Sequence, residues 1–151
     1  MQAIGRAAGV GQGTLYRHFP TRESLLLEVY NDDFQNLIEA AATVHDAGDP
    51  VGSLRRWLDH LATFGRKKHA LSDVLRAAAR RELHDRHYAL ILDAIDGLLD
   101  DGRRAGEIRS DLDADELLAL VSFLWQIDTT TDERVPHLLD VVVDGCRVQR
   151  P

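Results

Sequence analysis

Between Tyr88 and Ala105 the apolar side chains fall at Tyr88, Ile91, Leu92, Ile95, Leu98, Leu99 and Ala105. Steps of three and four place them on one face of a helix with 3.6 residues per turn, and on no single face of a strand. The same rhythm recurs upstream. Leu27, Tyr30, Phe34, Leu37, Ile38 and Ala41 make one stripe, and Val51, Leu54, Leu58, Leu61 and Gly65 make another, flanked by Trp57 and Phe64. No stretch sustains apolar–polar alternation, and no Asn-Gly or Asp-Gly turn joins β-branched runs. The chain therefore reads as all-α, each stripe requiring a neighbouring helix to cover it.

Local signals place the helix ends. A short helix over residues 2–8 ends at Gly9, and a second over 12–18 is stopped by Pro20. Thr21 caps a long helix reaching about His45, with Glu23 near the positive end of its dipole. Asp49-Pro50 starts the next, a cap followed by proline at the first helical position. The basic run Arg66-Lys67-Lys68-His69 predicts its close, Ser72 the cap of a shorter helix to Leu83, and residues 85–105 a separate helix ended by Gly106. Asp113 and Glu116 have capping-box spacing. The helix that follows, to about Asp128, carries Leu117, Leu118, Leu120, Val121, Phe123, Leu124, Trp125 and Ile127, apolar nearly all round. A last helix, beginning between Thr131 and Pro136, sets Val135, Leu138, Leu139, Val142 and Cys146 on one face, with Val141 and Val143 outside it.

A helix apolar on every side must be covered on every side. In a short chain a second copy can supply that cover, and a homodimer through a four-helix interface is expected. Its candidate residues are Leu117, Val121, Leu124, Trp125, Leu138, Leu139 and Val142. The other reading is a monomer whose own helices do the covering.

Charge and cysteine content narrow the function. The net charge of −7 opposes indiscriminate nucleic-acid binding. Residues 1–31 nevertheless carry +1 and the remainder −8, which fits DNA contact confined to one end. The single cysteine, Cys146, lies beside a run of valines and reads as a buried structural thiol. No apolar run is long enough to span a membrane and no signal peptide is legible, so a cytoplasmic location is expected. No phosphate-binding glycine loop, nucleophile elbow or His-Glu-x-x-His is present, so no enzymatic activity and no cofactor are expected. His84, Asp85 and His87 could suggest a metal, but the arginine-rich surroundings offer no fourth ligand, and they read as a solvated helix start.

The stretch "AAGVGQGTLYRHFPTRESLL" has its own chemistry. Ala7, Ala8 and Gly9 suit a tight turn between closely packed helices, with Val10 plugging the gap. Gly11 and Gly13 let a second helix begin close to a DNA backbone. Leu15 and Phe19 give that helix an inner side, while Gln12, Thr14, Tyr16, Arg17 and His18 give it a polar outer side. Gln pairs bidentately with adenine, and Thr can donate to a base or touch a thymine methyl. Tyr and His suit phosphate oxygens, which fix register rather than sequence. By spacing alone, an ordinary surface helix is an equal alternative.

The block "IGRAAGVGQGTLYRHFPTRESLL" resembles the helix-turn-helix signature of the tetracycline-repressor (TetR) family of transcriptional regulators, most specifically in "GTLYRHF" and "PTRESLL". The order of helices in the body also resembles that family, with "AGEIRSDLDADELLAL" similar to its hinge before the dimerising pair. The resemblance implies a DNA-binding head over 1–31 and a helical ligand-binding and dimerisation body over 32–151. It implies phosphate contacts at Tyr16 and His18, operator choice at Gln12, Thr14 and Arg17, and a backbone contact at Arg22. Two departures accompany it: Gly11 stands where the family often has a capping serine, and the family's first helix has no counterpart before Met1. An incomplete head, or a shortened version of a longer chain, is therefore expected, with Ile4, Leu15 and Phe19 losing part of their cover.

The family resemblance further implies a ligand-responsive repressor that binds a near-palindromic double-stranded operator. A small effector would occupy the body, with Trp57, His60, Leu61, Phe64, Leu75, Tyr88, Leu92 and Phe123 as candidate walls. Each is equally a plain core residue. The acidic body favours an apolar or aromatic effector over an anionic one. The alternative is a helical module, binding a small molecule or protein, whose DNA head does not function.

Overall fold

The computed structural model describes the backbone of residues 1–72, 77–125 and 133–149, and the side chains of the same residues except 67–86. Seven α-helices carry the described fold: α1 (Gln2–Ala7), α2 (Gln12–His18), α3 (Arg22–Thr43), α4 (Pro50–Ser72), α5 (Ala77–Arg104), α6 (Ala114–Leu120) and α7 (Val135–Cys146), with a 3-10 turn at Ser122–Trp125 after α6.

Side-chain caps set several of the boundaries. At α3, Ser24 N–H donates to Thr21 Oγ1 (3.0 Å) while Thr21 N–H donates to Ser24 Oγ (3.1 Å), a reciprocal box completed by Ser24. At α4, Gly52 N–H donates to Asp49 Oδ1 (2.9 Å). At α6, Glu116 N–H donates to Asp113 Oδ1 (2.8 Å) and Asp113 N–H to Glu116 Oε2 (3.0 Å), as the spacing predicts. Past the end of α5, Gly106 takes φ +71°, a conformation costly for any residue with a Cβ.

The core is built around α4. Leu54, Trp57, Leu58 and Leu61 are completely buried there, because α3, α5, α7 and the 3-10 turn all pack on this one helix. Trp57 donates its indole N–H to the Leu37 carbonyl of α3 (3.1 Å), so its burial leaves no polar group unpaired. Tyr30, Phe34 and Leu37 of α3 and Ile91, Ile95, Leu98 and Leu99 of α5 close the core from either side. After Gly106 the chain runs back across the end of α7. Arg109 N–H donates to the Cys146 carbonyl and Val148 N–H to the Glu107 carbonyl, both at 2.9 Å, and Ile108 and Arg147 form an isolated antiparallel bridge.

Several expectations need correction. The basic run at 66–69 does not end α4, which continues to Ser72, so Ser72 lies within this helix and is not the cap of another. Charges near a helix end contribute only ~0.3–1 kcal/mol, too little to stop a run of good helix formers. Residues 77–104 form one helix, with no break at His84-Asp85. Helix α6 is shorter than expected, giving way to the 3-10 turn after Val121. Helix α3 itself runs unbroken from Arg22 to Thr43, through residue 31. The buried face of α7 is Val135, Leu139, Val143 and Cys146, so Val143 points in, while Leu138 and Val142 are only half-buried.

Among the described residues, no helix is long and apolar enough to cross a membrane.

Candidate functional site

The first site is the outer side of α2. Helices α1 and α2 cross closely: a Cβ added at Gly5 would lie 3.1 Å from the Val10 carbonyl oxygen and 3.5 Å from Leu15 Cδ2. Gly9 makes the turn between them at φ +66°, and Val10 N–H returns to the Gly5 carbonyl (2.9 Å). Leu15 is buried beneath α2 and Phe19 half-buried, as the inner side requires. Val10 is 39% exposed and so does not plug the gap between the helices; Ile4 is 40% exposed. Gly11 holds the N-cap position with no side-chain cap.

Gln12, Thr14, Tyr16, Arg17 and His18 are all exposed along α2, and Arg22 is exposed at the first turn of α3. The structure therefore brings all six residues expected at DNA onto one end of the molecule. They offer amide, hydroxyl, phenol, guanidinium and imidazole groups, the set that reads base edges and holds phosphates.

The second site is a cavity of about 220 Å³ in the body, lined by Tyr30, Phe34, Phe64, His87, Tyr88, Ile91, Asp115, Leu118, Ala119, Ser122 and Trp125. Its aromatic rings form a contiguous wall. Tyr30 and Phe64 are 5.3 Å apart between ring centres, Phe34 and Phe64 5.9 Å, and Phe64 and Trp125 6.4 Å edge-on. His87 stacks on Phe34 at 3.8 Å. At the rim, the Tyr88 hydroxyl donates to Asp115 Oδ1 (2.7 Å), and this bond holds the phenol's pKa above its ordinary value. Burial pushes the Tyr30 phenol up to about 12.

Of the residues expected to line a ligand site, Phe64 and Tyr88 line this cavity. Trp57 and Leu61 are sealed in the core instead. Leu92 and Phe123 pack against the core without reaching the cavity. His60 is exposed beside a separate shallow groove with Asp33 and Asn36. Leu75 lies outside the described residues, as do the side chains of His84 and Asp85.

His87 overturns the reading of a solvated helix start: it is 8% exposed in the middle of α5. Its spacing of four and eight from Ile91 and Ile95 marks it as part of the buried stripe. Among the described residues no His, Cys, Asp and Glu cluster could hold a metal.

The residues expected at a dimer contact divide in the same way. Leu117, Val121, Leu124 and Leu139 are completely buried within the single chain. Trp125 packs inward on Phe64 and over Gly65, where an added Cβ would stand 2.8 Å from Trp125 Cζ3. Leu138 and Val142 remain half-exposed on α7, beside Val141 at 55%.

The sequence matches two family models. Residues 1–29 match that of bacterial regulatory proteins of the tetR family, and residues 49–148 that of the C-terminal domain of SbtR-like transcriptional regulators. The chain belongs to the TetR family of transcriptional regulators. Two solved structures are similar to it. A TetR transcriptional regulator from Streptomyces coelicolor is 34% identical with a TM-score of 0.81, over 99% of this chain and 87% of that one. A TetR transcription regulatory protein from Mycobacterium vanbaalenii is 31% identical with a TM-score of 0.59, over 97% and 81%. No curated protein matches the sequence. As a TetR-family member the chain is a DNA-binding transcription factor and not an enzyme.

Proposed function

We propose that this TetR-family protein is a ligand-responsive repressor that binds a near-palindromic operator as a homodimer. The observation that carries the reading is the pairing of two sites on one helix. Helix α3 begins at Arg22, beside the polar outer side of α2, and supplies Tyr30 and Phe34 to the aromatic wall of the body cavity. Occupation of the cavity therefore acts on the same rigid element that carries the reading head.

In this reading Gln12, Thr14 and Arg17 choose the operator, while Tyr16, His18 and Arg22 hold the phosphates. The cavity takes a small apolar or aromatic effector. The second copy docks on α7 through Leu138, Val141 and Val142. These lie three and four apart and share a face turned away from the buried one, and a Cβ added at Gly145, next in that row, would meet nothing within 4 Å.

Selection of bound duplexes from a random pool, followed by footprinting, tests the proposal. Two related half-sites are expected, their centres separated by a whole number of turns of about 34–36 Å. Sequence-independent protection alone would overturn it and favour a helical module whose head does not read DNA.

A further inference from the structure

We infer that the effector is a cationic aromatic molecule, its ring held among Phe34, Phe64 and Trp125 and its positive group held at the rim by Asp115. The inference rests on the proposal that the body cavity is an effector site, and adds the charge of the ligand.

Two independent features of the cavity point the same way. The first is the wall. Tyr30, Phe34, Phe64 and Trp125 present rings to one small space, with centre separations of 5.3–6.4 Å between neighbours. Aromatic faces carry partial negative charge and attract a cation within about 6 Å. The second is the rim. Among the described residues Asp115 is the one carboxylate lining the cavity, and no described Lys or Arg lines it. Asp115 forms no ion pair among the described residues. The Tyr88 hydroxyl donates to its Oδ1 at 2.7 Å, which holds the carboxylate at the cavity mouth without neutralising its charge.

An anionic ligand would be brought against that carboxylate with no basic group among the described residues to receive it. A neutral ligand of the same shape would fill the space but leave the carboxylate unanswered. A quaternary or protonated amine on one aromatic ring satisfies both wall and rim. The volume of about 220 Å³ is below the ~300–1,000 Å³ common for drug-sized ligands, so a molecule of one or two rings is indicated.

The test titrates the full chain with three probes of nearly equal size: benzyltrimethylammonium, its neutral carbon isostere neopentylbenzene, and phenylacetate. Binding is read by calorimetry and by the emission of Trp125, which lines the cavity. The cation is expected to bind roughly tenfold more tightly than the neutral isostere, and phenylacetate more weakly than either. Asp115→Asn should reduce the preference for the cation over the isostere to threefold or less, while the isostere binds as before. Equal or tighter binding of the isostere, or tightest binding of phenylacetate, overturns the inference and leaves the effector site standing. Binding of none of the three overturns both. The comparison among probes uses the unaltered protein, so the result does not depend on whether a variant folds.

Discussion

Gly97 and Gly102 lie five residues apart on α5, and replacing each with alanine should move stability in opposite directions. At Gly97 an added Cβ meets nothing within 4 Å. The substitution then acts through backbone entropy alone, and the gain should be about 0.5–1 kcal/mol. At Gly102 the same Cβ would stand 2.3 Å from Ile108 Cδ1, 2.5 Å from Cγ1 and 2.9 Å from Cβ. The methyl end of Ile108 could rotate aside, but its Cβ moves only with the backbone. That backbone is pinned, since Ile108 N–H donates to the Gly102 carbonyl (3.1 Å) and the neighbouring residues are tied to Cys146 and Val148. Overpacking of this kind costs about 1–3 kcal/mol, against which the helix-propensity gain is smaller. A net loss of about 1–2 kcal/mol is expected for Gly102→Ala. For a chain of this size the melting temperature should fall by several degrees in one variant and rise slightly in the other, about 2–4 °C per kcal/mol. Urea unfolding followed by circular dichroism measures both. If Gly102→Ala proved as stable as Gly97→Ala, the contact between α5 and Ile108 would be wrong as described.

In operator binding, Gln12→Ala should relax base choice at one position with a loss of roughly 1–3 kcal/mol, whereas Tyr16→Phe should weaken binding evenly across sequences; affinity profiles over single-base operator variants separate the two. Val141→Asp should dissociate the proposed dimer while leaving the monomer folded, because the side chain is 55% exposed, whereas Leu124→Asp should unfold the chain, because Leu124 is completely buried within it; light scattering with circular dichroism distinguishes these outcomes. Stability should decline at alkaline pH. Burial raises Cys146 from 9.0 to about 11 and Tyr30 from 10.0 to about 12, so the unfolded chain releases these protons first. Their contribution, whole below pH 9, is lost as pH rises towards 12, and urea midpoints measured from pH 8 to 11 should fall.

Much of this fold was legible in the sequence because its cues are local. The caps at Thr21 and Asp113, the turn at Gly9 and the stripes of α3, α4 and α5 depend on neighbours within a turn or two. The polar outer side of α2 followed from the positions of Leu15 and Phe19. The misread features depend on distant partners. The tight turn after α6 packs Trp125 over Gly65, sixty positions earlier in the chain, and nothing near Ser122 announces it. Leu117, Val121 and Leu124 invited a second copy because their cover, chiefly α4 and α5, is remote in sequence. The cavity drew on Tyr30, Phe34, Asp115 and Trp125, none of which was expected there. Tyr30 and Phe34 stand four apart on one helix, and that pairing could have marked them. His87 was read with its charged neighbours when its register with Ile91 and Ile95 placed it inside.

Helix α3 also has a mechanical gain. Its far end is clamped to the body: Arg56 donates to the Val44 carbonyl (3.3 Å), His45 Nδ1 lies 2.9 Å from Asp101 Oδ2, and Trp57 grips the Leu37 carbonyl. With the pivot at Leu37, the last clamped residue, Phe34 sits three residues along the arm and Arg22 fifteen. At 1.5 Å of rise per residue these arms are about 4.5 and 22 Å, so a push of about 0.5 Å on the Phe34 ring swings Arg22 by roughly 2.5 Å. That displacement is comparable to the tolerance of a hydrogen bond, whereas the body end barely moves. In the proposed homodimer, an effector too weak to reshape the core would therefore misalign the two reading heads, and the errors of the two arms would combine in the spacing between them.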